Sequence, residues 1–163
     1  MKLNEIEKRI KDRSHFLELD APKVFWVNPA ADLRIMNIME DAGLRLCGTE
    51  FLFSHAIDPI REDVPPLQAL AMSALADPMA GSSIDRAERI LHDANHFGAE
   101  GIIISRIPGA SHCAAEGKII KDHLKEKSDL RILELEVPSV CDSVRASLKT
   151  RLEAFRELLK QKV

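Results

Sequence analysis

A chain of 163 residues has the length of one domain and can bury a single sizeable core. It is 45% hydrophobic and 30% charged, ordinary for a soluble globular protein, and its net charge of −3 with scattered basic residues leaves no footprint for nucleic acid. No apolar run approaches the roughly 18 residues of a membrane helix, and charge follows at once at Lys2 and Glu5, so neither a membrane span nor a signal peptide is visible. Three widely spaced cysteines make no disulfide framework, and a reduced, cytoplasmic setting is the expectation.

In chain order, residues 2–19 read as a peripheral helix with a thin stripe of Leu3, Ile6, Ile10 and Leu17, ended by Asp20-Ala21-Pro22. Lys23–Val27 is the first predicted strand, aromatic and β-branched. Asn28-Pro29 reads as an N-cap and first helical residue, opening a helix to about Asp41 with Leu33, Met36 and Met39 turned to the core. Gly43 closes it, and Leu44–Thr49 is the second strand, with Glu50 at its carboxyl end. The unit is a βαβ repeat.

A loop is expected over 51–65, a short apolar helix over 67–76, and a break at 77–83 that supplies serine caps. The next helix spans 84–97, with Ile84, Ala87, Leu91 and Ala94 in register. Gly98 ends it. Gly101–Ile104 has no polar face, which predicts a strand buried on both sides. The loop after it leads to Cys113 and a helix to about Lys127. Leu130–Val137 is the fourth strand, and Asp142 or Ser143 is expected to cap a long final helix striped by Val144, Leu148, Leu152, Phe155 and Leu159. Strands alternating with helices predict one α/β domain over 1–163, a flavodoxin- or Rossmann-like three-layer sandwich with a four-stranded parallel sheet. The order 2-1-3-4 puts the switch between strands one and three, so Asn28 and the Cys113 loop face one crevice.

The loop after the third strand gathers Arg106, Ser111, His112 and Cys113. A cysteine at the first turn of a helix meets unpaired N–H groups and the helix dipole, which favour a thiolate. A thiolate suits a metal, an iron–sulfur cluster or nucleophilic chemistry; the alternative is a small buried side chain. Ser111 and His112 suit an anion or carbonyl, or a cap and a solvated ring. Arg106 suits a phosphate or carboxylate, or an ordinary surface position. Cys47, inside a strand, reads as a buried hydrophobe, while Cys141 follows the fourth strand on the same rim as Cys113. His92 and His96 have a metal-capable spacing but fall on a solvated flank. No GxGxxG, P-loop, GxSxG or CxxC pattern is present.

The run Gly98-Ala99-Glu100-Gly101-Ile102-Ile103, the loop to Cys113, the strand Ile132-Leu133-Glu134-Leu135-Glu136 and the segment Thr150-Arg151-Leu152-Glu153-Ala154-Phe155 occur in an informative order. Together they resemble the carboxyl-terminal domain of 2-hydroxyacyl-CoA dehydratase and benzoyl-CoA reductase subunits. Asn28-Pro29 and Gly48-Thr49-Glu50 fit the ends of its two earlier strands. The resemblance implies an oxygen-sensitive enzyme of two related subunits, each holding a 4Fe-4S cluster through thiolates from several domains. An ATP-dependent activator would donate one electron, and an acyl-CoA would be dehydrated or its aromatic ring reduced. Cys113 matches the cluster cysteine, and Asn28, Glu50, Arg106, Ser111 and His112 would line the cluster or acyl-CoA crevice. Subunits of that family are more than twice this length, so the missing ligands would come from a companion subunit or further domains. Two other expectations stand beside this one. One is a non-enzymatic assembly or ligand-binding module derived from that domain. The other is a thiol enzyme with Cys113 as nucleophile and His112 or His55 as base.

Overall fold

The computed structural model describes residues 2–12, 20–50, 59–77 and 80–161, with side chains at all of these except 2, 9, 10 and 111–115. The expected helix end at 13–19, most of the 51–65 loop with His55, and the Pro78-Met79 break lie outside the described residues. The elements are α1 (Lys2–Asp12), β1 (Lys23–Val27), α2 (Arg34–Asp41), β2 (Arg45–Glu50), α3 (Pro66–Leu75), α4 (Ser83–His96), β3 (Gly101–Arg106), α5 (Ser111–Lys127), β4 (Arg131–Glu136), a 3₁₀ turn (Asp142–Val144) and α6 (Arg145–Lys160). The four strands form one parallel sheet in the order β2-β1-β3-β4.

Period-two alternation sends each strand's side chains into two cores. Val24, Trp26 and Ile103 face α2 and α6, meeting Ile35, Ile38, Leu148, Leu152 and Phe155. Phe25, Val27, Ile102 and Ile104 face α4 and α5, meeting Ala87, Ile90, Ala94, Ile120 and Leu124. Each such large side chain removed from water stabilises the fold by about 1.5–3 kcal/mol before conformational entropy is charged against it. Gly101 is bare because α6 lies close: a Cβ there would stand 2.8 Å from the Phe155 ring.

β2 carries one extra residue. Val24 pairs with Leu46, but Phe25 pairs with Gly48, so Cys47 and Gly48 together oppose one residue of β1. The bulge turns the rest of β2 over. Without it, Glu50 would share a face with Leu46, on the α2/α6 side. With it, Glu50 pairs with Val27 and points to α4. Gly48 makes the bulge possible, since a Cβ would meet the Phe25 ring at 2.7 Å.

Several local expectations are corrected. Asn28 does not cap α2. It sits at φ 70, a left-handed conformation that Asn tolerates better than most residues, and α2 starts later, at Arg34. That shift leaves Leu33 66% exposed, and Ile35, Ile38 and Met39 supply the buried face. On α4, Ile84 is exposed and Ile90 takes its place in the core, while Ser82 caps the helix in a box with Asp85. The final helix has no Asp142 or Ser143 side-chain cap; the 3₁₀ turn precedes it, and Val144 stands at its start. Ala110 occupies the cap position of α5, so Ser111 is that helix's first residue. Cys47 is only half-buried, because β2 is an edge strand of the sheet and Cys47 falls at its bulge.

Candidate functional site

At the carboxyl ends of β1, β2 and β3 the apolar core gives way to a buried polar network. Its centre is Arg86 of α4, 5% exposed. Its Nε donates to Glu50 Oε1 at 2.9 Å and its Nη2 to Glu50 Oε2 at 2.8 Å, a two-pronged pairing with a carboxylate that is itself buried. The same Nη2 donates to Asn28 Oδ1 at 2.7 Å, and Nη1 donates to Glu116 Oε2 of α5 at 2.8 Å. Burial pulls the Arg86 guanidinium down, but Glu50 and then Glu116 more than offset this, and its pKa stands above the ordinary value.

Asn28 carries the network across the switch point. Its Nδ2 donates to the Ser105 carbonyl of β3 at 3.0 Å, and its backbone N donates to the Glu50 carbonyl at 3.2 Å. The left-handed backbone at Asn28 is what aims the amide at both Arg86 and β3. On the other face of the sheet, the indole Nε1 of Trp26 donates to Ser105 Oγ at 3.1 Å and to the Asn28 carbonyl at 3.0 Å. The Ser105 hydroxyl in turn lies 3.1 Å from the carbonyls of Val27, Asn28 and Pro29. The ends of the central strands are thus cross-braced by side chains.

Glu116 links this brace to the Cys113 helix. Its other oxygen accepts from Ser83 Oγ at 3.3 Å. Cys113 lies three positions earlier, in the first turn of α5, so the two positions fall on one side of the helix. The turn before it reverses at Gly109, φ 85, and Ala110 N donates to the Ile107 carbonyl. The structure thus brings Asn28 and Glu50 together through Arg86, and ties them to the helix that bears Ser111, His112 and Cys113. Both Asn28 and Glu50 are nearly fully buried, at 2% and 4% exposure, so each is committed to the brace. Arg106 stands apart from it: half-exposed at the end of β3, it pairs with Glu136 of β4 at 3.3 Å.

Arg86, Glu116 and Ser105 escaped the sequence reading. A signal for Arg86 was present, because 86, 90 and 94 make one stripe and the first of them is charged. Ser105 is the one polar residue at the end of an otherwise apolar β3 run before Arg106.

A second charged cluster ties the β1–α2 loop to the loop after β4. Asp32, 8% exposed, accepts from Arg34 Nε at 2.9 Å and from the Cys141 backbone N at 2.9 Å, and Arg34 Nη1 donates to Asp142 at 2.9 Å. The Arg34 side chain, then the Cys141 amide, hold the Asp32 carboxyl far below the usual carboxylate range. Burial, with Asp32 nearby, pushes the Cys141 thiol up, and burial does the same for Cys47, which donates to the Val24 carbonyl at 3.3 Å. His92 and His96 are exposed, with rings stacked at 6.5 Å, as their solvated flank predicts.

Residues 1–159 match the family of the 2-hydroxyglutaryl-CoA dehydratase D-component. The chain belongs to that family. No match was found among curated proteins. A D-component fold with one braced polar centre does not by itself make a metal site: among the described residues no three His, Cys, Asp or Glu side chains converge to hold an ion. Burial pushes the Cys47 and Cys141 thiols up, and both lie away from the α5 terminus in sequence and make local contacts. Among the described residues the donor set does not make a complete cluster site, and Cys113 stands in the first turn of α5. Among the described residues, no helix is long and apolar enough to cross a membrane.

Proposed function

We propose that this chain serves as a D-component-like part of a 2-hydroxyacyl-CoA dehydratase, or of a related aromatic acyl-CoA reductase, and supplies Cys113 as one thiolate of a 4Fe-4S cluster. The remaining ligands come from a companion subunit or further domains, and an ATP-dependent activator feeds the assembly. The observation that carries the reading is the family match over residues 1–159, with Cys113 in the first turn of the helix after β3. When bound, the cluster supplies one-electron chemistry to the acyl-CoA. The chain's own residues do the positioning. Arg86 fixes α5 through Glu116 and the strand ends through Glu50 and Asn28, so the Cys113 backbone is held against a rigid floor. Unpaired N–H groups of the first α5 turn favour a thiolate over a thiol. In this reading the positions of Arg106, Ser111 and His112, between β3 and the start of α5, border the acyl-CoA crevice.

Anaerobic co-expression with the neighbouring reading frames, followed by iron and sulfide analysis of the purified complex, tests this. Iron should be present and should fall sharply in Cys113→Ser, with assembly intact. Iron-free complexes, or equal iron in wild type and variant, overturn it. A second reading, a non-enzymatic assembly module, is favoured by α3. That helix has no charged residue and leaves Leu67 and Leu75 83% and 77% exposed. Normal assembly and activity in Cys113→Ala would select it.

A further inference from the structure

The β4 edge of the sheet is open and has a groove built along it. Among the described residues β4 pairs only with β3, so one row of its backbone groups faces outward. A cavity of about 970 Å³ runs beside that edge, between the end of α5 and the face of α6. Its floor is apolar, from Leu133, Phe155 and Leu158, and its rim is basic, from Lys125, Arg131 and Arg151. Asp129 is the one acidic side chain lining it. Lys125 and Arg131 are exposed, and the carboxylate near Lys125, Asp122 of its own helix, is already paired with Lys118, although the chain as a whole carries a net charge of −3. The basic rim is thus a local reversal of the molecule's charge.

The backbone defines what the groove asks for. Arg151 Nη2 donates to the Glu134 carbonyl at 2.7 Å, so that carbonyl faces away from β3 and is already satisfied. In a parallel strand, one residue's N–H and C=O point to the same side, and the side alternates along the chain. Ile132, two residues earlier, therefore presents both groups to the groove. A paired donor and acceptor over an apolar floor match an extended polypeptide better than a small anion, which would use the cations and leave the N–H and C=O unmet.

We propose that the β4 edge docks an extended, acidic–apolar segment of a partner polypeptide, which adds a fifth strand beside Leu130–Leu133. Main-chain bonds to Ile132 set its register, apolar side chains cover Leu133, Phe155 and Leu158, and carboxylates meet Lys125 and Arg131. Arg151 caps the Glu134 carbonyl and so marks where the added strand ends. The proposal is independent of Cys113 and of any cluster.

The test uses the full chain and two blocked peptides, acetyl-Val-Glu-Val-Glu-Val-Thr-amide and its counterpart with Lys in place of both Glu. Binding is followed by calorimetry and by amide chemical shifts. The acidic peptide should bind at least about tenfold tighter than the basic one and shift the Ile132 amide. The double variant Lys125→Glu/Arg131→Glu, both positions on the surface, should fold normally and reverse the preference. Ile132→Pro, which removes the outward N–H, should weaken the acidic peptide, and the charge reversal keeps the test decisive if that variant fails to fold. Equal binding of the two peptides, no binding of either at millimolar concentration, or an unchanged preference in the double variant overturns the proposal. So does occupation of the groove by inorganic phosphate or coenzyme A while neither peptide moves the Ile132 amide.

Discussion

Arg86 and Arg34 each hold two carboxylates at the carboxyl end of the sheet, but on opposite faces and in opposite surroundings. Arg86 is 5% exposed and pairs with a Glu50 side chain equally hidden. Arg34 is 50% exposed and bridges Asp32 to an Asp142 that is largely in water. The first network costs a large desolvation and returns a fixed geometry, since every prong of the guanidinium has a partner in a low-dielectric site. The second is screened and salt-sensitive, and ties two loops without defining the core. The chemistry is the same in both; burial decides which of them specifies the site.

The largest effect that separates them is expected from Arg86→Met. It strands the Glu50 carboxylate without its charged partner, and urea unfolding should show a loss of about 3–5 kcal/mol. Arg86→Met combined with Glu50→Met removes both charges and should recover most of that loss. A double variant as unstable as the single one would mean that the brace contributes net stability as well as geometry. Next comes Gly48→Ala, which attacks the bulge that aims Glu50. With a Cβ 2.7 Å from the Phe25 ring, the loss should be about 1–3 kcal/mol by the same assay.

The outer network should show itself through pH instead. Asp32 is depressed in the folded state, so its contribution is complete above the ordinary carboxyl value of 3.8 and fades as pH falls below it. Asp32→Asn should therefore lower stability across the neutral region and flatten the acid limb, variant and wild type converging as pH falls below 3.8, as thermal unfolding across pH would record. An unaltered acid limb would remove Asp32 as its source. The smallest effect belongs to Arg34→Met: a small fall in melting temperature that shrinks further with added salt. A large, salt-independent fall would erase the contrast with Arg86.

The sheet order was legible because β1 and β3 are nearly continuous apolar runs, which only central strands can be, and β4 with its Glu and Arg residues reads as an edge. The final helix was legible because Leu148, Leu152, Phe155 and Leu159 repeat at helical spacing over a long segment. Asn28 was misread because Asn-Pro serves equally as a helix start and as a left-handed bend, and only the long-range bond to Ser105 decides between them. Arg86 was missed for a related reason. A charged residue on an apolar stripe is unreadable until its partners are known, and Glu50 and Glu116 lie 36 and 30 residues away.

The extra residue in β2 has a consequence for how this strand can vary. Identity at position 47 is loosely constrained, because the thiol of Cys47 is half-buried and bonds only a backbone carbonyl. The count of residues between Leu44 and Glu50 is not. Dropping one would transfer Glu50 to the opposite layer, among Ile35 and Leu148, and leave Arg86 without its two-pronged carboxylate partner. Substitutions there are matters of degree; a single insertion or deletion is a change of sides, and chains that keep the brace are expected to keep that number before they keep any letter.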